Sequence, residues 1–191
     1  MLPGIIQALS DRFLEILLAP YYFRETLWMV IPILVTMLLM ETYFGRYEFE
    51  DLGWNSAFGN SLVLIFVSID LMRHIYNLEG WQGLTIITPY TLLVVAVIFE
   101  GILLTLTSFY HLLPRDFAFN LTSTLPINFI AYLSVILVYT RIPVINFFTI
   151  LSSLVLLIIF ALIIRGVKAF VPKVVDVEEV GKIKAKRLLS K

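Results

Sequence analysis

Two uninterrupted apolar runs, residues 117–140 and 142–164, lie end to end with only Arg141 between them, and neither contains an acidic or basic side chain. A helix crossing a bilayer core of roughly 30 Å needs about 20 mostly apolar residues, and no other environment tolerates two such runs in succession so readily. Three further stretches fit the same template. Residues 52–69 are free of charge and continue through Asp70 to Tyr76, and residues 80–99 continue past Glu100 to about Leu113. The first stretch, 26–40, reaches spanning length if its helix runs through Glu41 towards Phe44. The expectation is an all-α polytopic membrane bundle with about five transmembrane helices near 26–44, 54–76, 88–113, 121–140 and 142–165.

Composition supports that class and excludes others. Of 191 residues 60% are hydrophobic and 15% charged. The mean hydropathy of +0.93 is beyond what a water-soluble surface carries. The 14 Lys+Arg balance the 14 Asp+Glu, which leaves no basic excess for nucleic acid, and without cysteine there is no disulfide, thiolate metal site or cysteine nucleophile. Trp28, Trp54 and Trp81 each stand at the start of a proposed span, where amphipathic rings settle at headgroup level.

Residues 1–20 read differently. Ile5, Ile6, Leu9, Phe13, Ile16 and Leu17 recur on one helical face opposite Gln7, Asp11 and Glu15, the pattern of an amphipathic helix lying in the interface or along the protein's own spans. Pro20 is expected to end it, and Asp11, Arg12 and Glu15 exclude a signal peptide. The five spans then occupy 21–167, and 168–191 form a basic tail. Arg165, Lys168, Lys173, Lys182, Lys184, Lys186, Arg187 and Lys191 place that end in the cytoplasm by the positive-inside rule, and five spans put the N-terminus outside a cell membrane. This topology puts the Asn120-Leu121-Thr122 sequon inside, so it is read as a chance match.

Ionisable groups within spans face a bundle interior or a hydrated path, which makes each one a functional candidate. Asp70, Arg73 and His74 share one face at i, i+3 and i+4, and Glu100 lies near the middle of the next span. Depth counted from the helix ends puts all four in one leaflet, with a Glu100 to Arg73 pair as the expected contact. The cluster serves either as an ion-pair network fixing helix register or as a proton relay or cation path. A weaker polar stripe comprises Thr107 and His111 below Glu100, and Asn128, Tyr132 and Tyr139 on the fourth span, read mainly as hydrogen-bonding glue between helices. Residues 41–51 hold Glu41, Glu48, Glu50 and Asp51 against Arg46, without the spacing of a calcium loop.

No phosphate loop, His-Glu-x-x-His or Gly-x-Ser-x-Gly is present, and the two histidines are assigned to opposite leaflets. The expectation is a protein without catalysis, metal or cofactor: a non-catalytic subunit or scaffold of a membrane complex, or alternatively a small homo-oligomeric ion or proton channel using Asp70, Arg73, His74 and Glu100. Its partners are the lipid bilayer and either further copies or other membrane subunits. The tail offers a surface for anionic lipid or a soluble partner. The long apolar spans four and five are expected to turn faces to lipid or another subunit.

Overall fold

The computed structural model describes residues 2–47, 53–172 and 174, and no strand occurs among them. The acidic residues Glu48, Glu50 and Asp51, and the tail beyond Val174, lie outside the described residues. Helices α1 (Leu2–Tyr22), α2 (Leu27–Arg46), α3 (Trp54–Thr85), α4 (Pro89–Phe109), α5 (Arg115–Leu121), α6 (Thr124–Thr140) and α7 (Phe147–Phe170) follow in order, with a short 3-10 turn over Arg24–Thr26 before α2. Five segments are long and apolar enough to cross a membrane: Arg24–Arg46, Trp54–Thr85, Pro89–Phe109, Arg115–Thr140 and Phe147–Phe170.

The expected long apolar helices are present, but their ends move for identifiable reasons. α3 runs beyond Tyr76 to Glu79, turns at Gly80 with φ 63, and adds one more turn to Thr85. The connection to α4, residues 77–87 by the expected span bounds, therefore shrinks to Ile86–Thr88. Thr88 starts α4 with reciprocal caps: its hydroxyl accepts from the Thr91 amide at 3.1 Å, and its own amide donates to the Thr91 hydroxyl at 2.7 Å. Pro89 occupies the first helical position, where its missing amide hydrogen costs nothing. α4 stops at Phe109 because His111 is left-handed at φ 53, so the expected continuation to Leu113 does not form. Arg141, also left-handed at φ 57, ends α6. α7 begins only at Phe147, five residues later than expected, where the Asn146 side chain accepts from the Phe148 amide at 2.8 Å.

α6 is the axis of the bundle. Ile127, Ala131, Val135, Ile136 and Val138 are fully buried on different faces, and α1, α2, α3 and α4 pack around it. The sequence reading offered this segment to lipid or a partner; the structure spends it on the protein's own core. An all-round apolar helix is compatible with either environment, so its pattern alone does not choose. The outer helices carry the exposed apolar surface instead: on α4, Leu92, Val95, Phe99, Ile102, Leu103 and Leu106 are each at least 44% exposed.

α1 packs against α6 and α7 through Ile16 and Ala19, both buried. Ile5, Ile6 and Leu17, on the apolar face that spacing offers either to the interface or to the protein's own spans, are exposed, so only part of that face packs. The helix also passes through Pro20 to Tyr22. A mid-helix proline orphans the carbonyl four residues earlier. Here that is Ile16, and the Tyr132 hydroxyl donates to it at 3.4 Å from the centre of α6.

Candidate functional site

Asp70, Arg73 and His74 lie on the face of α3 turned towards the Arg24–Thr26 turn, the start of α2 and the end of α6, where a cavity of about 540 Å³ opens among Arg24, Glu25, Trp28, Asn77 and Tyr139. Both oxygens of Asp70 are occupied. Arg73 pairs with Oδ1, its Nε donating at 3.1 Å, and the Tyr139 hydroxyl donates to Oδ2 at 2.7 Å. The His74 ring stacks on Tyr139 with centroids 3.7 Å apart, and its buried Nε2 has no hydrogen-bond partner. Sequence spacing assembled Asp70, Arg73 and His74 correctly on one face. It also set Tyr139 on the polar face of the fourth span, but the pairing of Tyr139 with Asp70 becomes visible only once α6 is known to run beside α3.

Glu100 does not join them. Gly101 packs at Leu64 and Ile65, where an added Cβ would lie 3.0 Å from side-chain carbons of both residues. This register puts Glu100 level with the middle of α3, roughly 8 Å along the helix from Asp70 and roughly 12 Å from Arg73. Arg73 is already paired with Asp70. The expected Glu100 to Arg73 contact is therefore replaced by two separate features. Glu100 sits eleven residues after Pro89 and nine before Phe109, half-buried at the flank of the α3–α4 contact, with no hydrogen bond or ion pair among the described residues.

The secondary stripe also divides. Thr107 donates to its own helix at Leu104, 3.1 Å away. His111, displaced by the early end of α4, stacks on Trp54 with centroids 4.2 Å apart at the far end of α3 from His74. Asn128 donates to the Thr124 carbonyl at 2.8 Å, leaving its Oδ1 buried and unpartnered, and Tyr132 bonds α1 as described. Thus Asn128, Tyr132 and Tyr139 share a helix face without forming one path.

Two ion pairs that spacing did not reveal tie the bundle at its ends. At one end Arg141 pairs with Glu79 at 2.6 Å and lies over the Tyr90 ring at 4.8 Å, while the Tyr90 hydroxyl donates to the Arg141 carbonyl at 2.6 Å. These contacts join α3, α4 and α6. At the other end the buried Glu41 of α2 pairs with Lys168 of α7, beside a cavity of about 890 Å³ bounded by α2, α5, α6 and α7. Glu41 thus belongs to α2, as a first span running through it to Phe44 requires, and is set apart from the rest of the acidic segment 41–51. No group of three or more His, Cys, Asp or Glu residues close enough to hold a metal ion occurs among the described residues.

Compared with known proteins, the chain matches no family model, and no curated protein or solved structure shows significant similarity to it.

Proposed function

We infer that the chain is a non-catalytic integral membrane subunit, and that a helix of a partner protein covers the α4 face around Glu100. Five long apolar helices with large exposed apolar side chains on α4 and α7 support residence in a bilayer, since a surface of that kind has no stable exposure to water. The exposed Ile5, Ile6, Leu14, Leu17 and Leu18 of α1 extend the apolar surface and suit lipid contact at the interface. The basic residues after Ile164 favour a cytoplasmic C-terminus and, with five crossings, an external N-terminus.

Glu100 carries the reading. A charge at the centre of a transmembrane helix costs about 2.5–3.5 kcal/mol on insertion scales, and such groups are met by cations or hydrogen-bond donors. Glu100 is at that depth, half-buried and without a partner in its own chain among the described residues. α4 contains no Lys, Arg or His. A two-fold pairing of α4 with itself would therefore set carboxylate against carboxylate, whereas a different chain with a donor at mid-depth would satisfy it.

The conductor reading draws on the 540 Å³ cavity and the unpartnered His74 Nε2. It is the weaker one, because both oxygens of Asp70 are engaged and Glu100 is remote from the cavity.

The test is recovery of the tagged full chain from its native membranes in mild detergent, with the intact mass measured. The expected result is a fixed stoichiometry with a second protein, reduced about tenfold by Glu100→Leu, the loss of one buried charge-assisted bond. A monomer, or an assembly of this chain alone that Glu100→Leu leaves intact, would overturn the reading. So would ion flux in liposomes that Glu100→Gln abolishes while the assembly is preserved.

A further inference from the structure

The cavity of about 540 Å³ lies where the apolar runs stop, at the end of the bundle away from Lys168. Trp28, on its wall, is the second residue of α2, and Tyr139 is the last but one of α6. This is the level at which tryptophan and tyrosine rings meet lipid headgroups. A second cavity of about 380 Å³ adjoins it and shares Arg24, Glu25 and Tyr139. Each is of the size that small-molecule sites occupy, about 300–1,000 Å³. The turn carrying Arg24 and Glu25 is fixed by the fully buried Thr26, whose hydroxyl and amide both donate to the Phe23 carbonyl, at 2.7 and 3.0 Å.

Four charges line the larger cavity, two of each sign: Arg24 and Arg73 with Glu25 and Asp70. They are not all paired with one another. Asp70 is engaged by Arg73 and Tyr139. Arg24 and Glu25 are neighbours in sequence, yet both are exposed and neither makes a hydrogen bond or ion pair among the described residues. Arg73, although paired with Asp70, keeps 67% of its side chain exposed. A cleft that offers an uncompensated cation and an uncompensated anion side by side complements a ligand with one charge of each sign. A ligand with negative charge alone would bring it against Glu25 as well as against the arginines.

Below the cavity both flanking helices turn apolar side chains outward. On α2, Pro32, Val35 and Leu39 follow Trp28 at i+4, i+7 and i+11, and all three are exposed. On α3, Phe66 lies one turn inward of Asp70 on the same face and is 65% exposed. The two stripes start at the cavity and run towards the middle of the helices, the course that acyl chains take from a headgroup held above them.

We propose that this cleft binds a phospholipid with a primary-amine headgroup, of the phosphatidylethanolamine class. Arg24 and Arg73 meet the phosphate, Glu25 accepts hydrogen bonds from the ammonium, and the acyl chains lie along the α2 and α3 stripes. A primary ammonium has three N–H donors for Glu25, whereas a quaternary ammonium has none, and a phosphatidylglycerol headgroup has no cation for that carboxylate. The proposal rests on residence in a bilayer and not on a partner at Glu100.

The experiment uses the full chain in neutral detergent, offered phosphatidylethanolamine, phosphatidylcholine and phosphatidylglycerol of identical acyl chains in equal amounts, with retained lipid counted by native mass spectrometry. Phosphatidylethanolamine is expected to be retained above the other two. Arg24→Gln lowers its retention about fivefold, the effect of one surface-proximal cation. Glu25→Gln brings it down to the level of phosphatidylcholine, while Arg165→Gln at the opposite end of the bundle leaves it unchanged. Loss with either Arg24→Gln or Glu25→Gln supports the site. Equal retention of the three lipids, or a preference for phosphatidylcholine or phosphatidylglycerol, overturns it, as does a preference that neither substitution alters or that Arg165→Gln lowers as much. Release of the chain from its membranes by alkaline carbonate would overturn the bilayer reading and the proposal together, whereas failed lipid selection by a chain that resists carbonate overturns the proposal alone.

Discussion

Replacing Tyr139 by phenylalanine removes one oxygen and isolates one hydrogen bond, the 2.7 Å donation to Asp70 Oδ2. The ring is kept, so the stack on His74, with centroids 3.7 Å apart, survives. A hydrogen bond to a charged acceptor contributes about 1.5–3 kcal/mol in soluble proteins, but interhelical bonds in a membrane protein average about 0.6 and reach about 1.7 kcal/mol. Asp70 is 13% exposed at its side chain and opens onto a cavity, so water can replace part of what the hydroxyl supplied. Arg73 also continues to hold the other oxygen. The expected cost is therefore about 1 kcal/mol, nearer the membrane figure than the soluble one. Reversible unfolding of the full chain in bicelles, for Tyr139→Phe, Asp70→Asn and both together, gives the coupling free energy directly. A coupling of about 1 kcal/mol is predicted. A value under about 0.3 kcal/mol, within ordinary additivity, would refute the view that this bond locks α3 to α6.

Two further predictions concern packing. Tyr132→Phe should cost about 1 kcal/mol by orphaning the Ile16 carbonyl, and Pro20→Ala should suppress that cost by restoring the helical amide; unfolding of the double variant that shows no suppression contradicts the assigned role of Tyr132. Gly101→Ala should destabilise by about 1–3 kcal/mol, because the new methyl meets Leu64 and Ile65 side-chain carbons at 3.0 Å and the Ile65 backbone nitrogen at 3.1 Å; an unchanged melting temperature in detergent would show that α3 and α4 separate freely at this point.

The bundle was legible in the sequence to the extent that hydropathy dictates it. Long charge-free runs have few alternatives, and each yielded a helix. Helix ends were less legible, because they depend on single residues whose effect is local: Asn146 capping α7, Thr88 and Thr91 closing on each other, His111 and Arg141 turning left-handed. The centrality of α6 was hidden for a different reason. Lipid and protein interior are equally apolar, so hydropathy does not distinguish a helix wrapped by its neighbours from one bathed in acyl chains.

The candidate site shows the same division. Spacing within one helix correctly placed Asp70, Arg73 and His74 together. Spacing between helices failed for Glu100, since the register that sets it roughly 8 Å along the helix from Asp70 is fixed by the close approach at Gly101, which depends on what the facing helix presents. Pro20 was misjudged because its orphaned carbonyl is satisfied by a tyrosine 116 residues away in sequence.

The central claim is that the face beside Glu100 is occupied by another protein. A photo-crosslinking amino acid at Leu103, one turn from Glu100 and 48% exposed, tests it in native membranes, with Leu39 of α2, 64% exposed, as the control position. The account predicts one discrete protein adduct of a mass different from a doubled chain from position 103 and none from position 39. Lipid adducts alone at both positions, or a doubled chain at position 103, would contradict it.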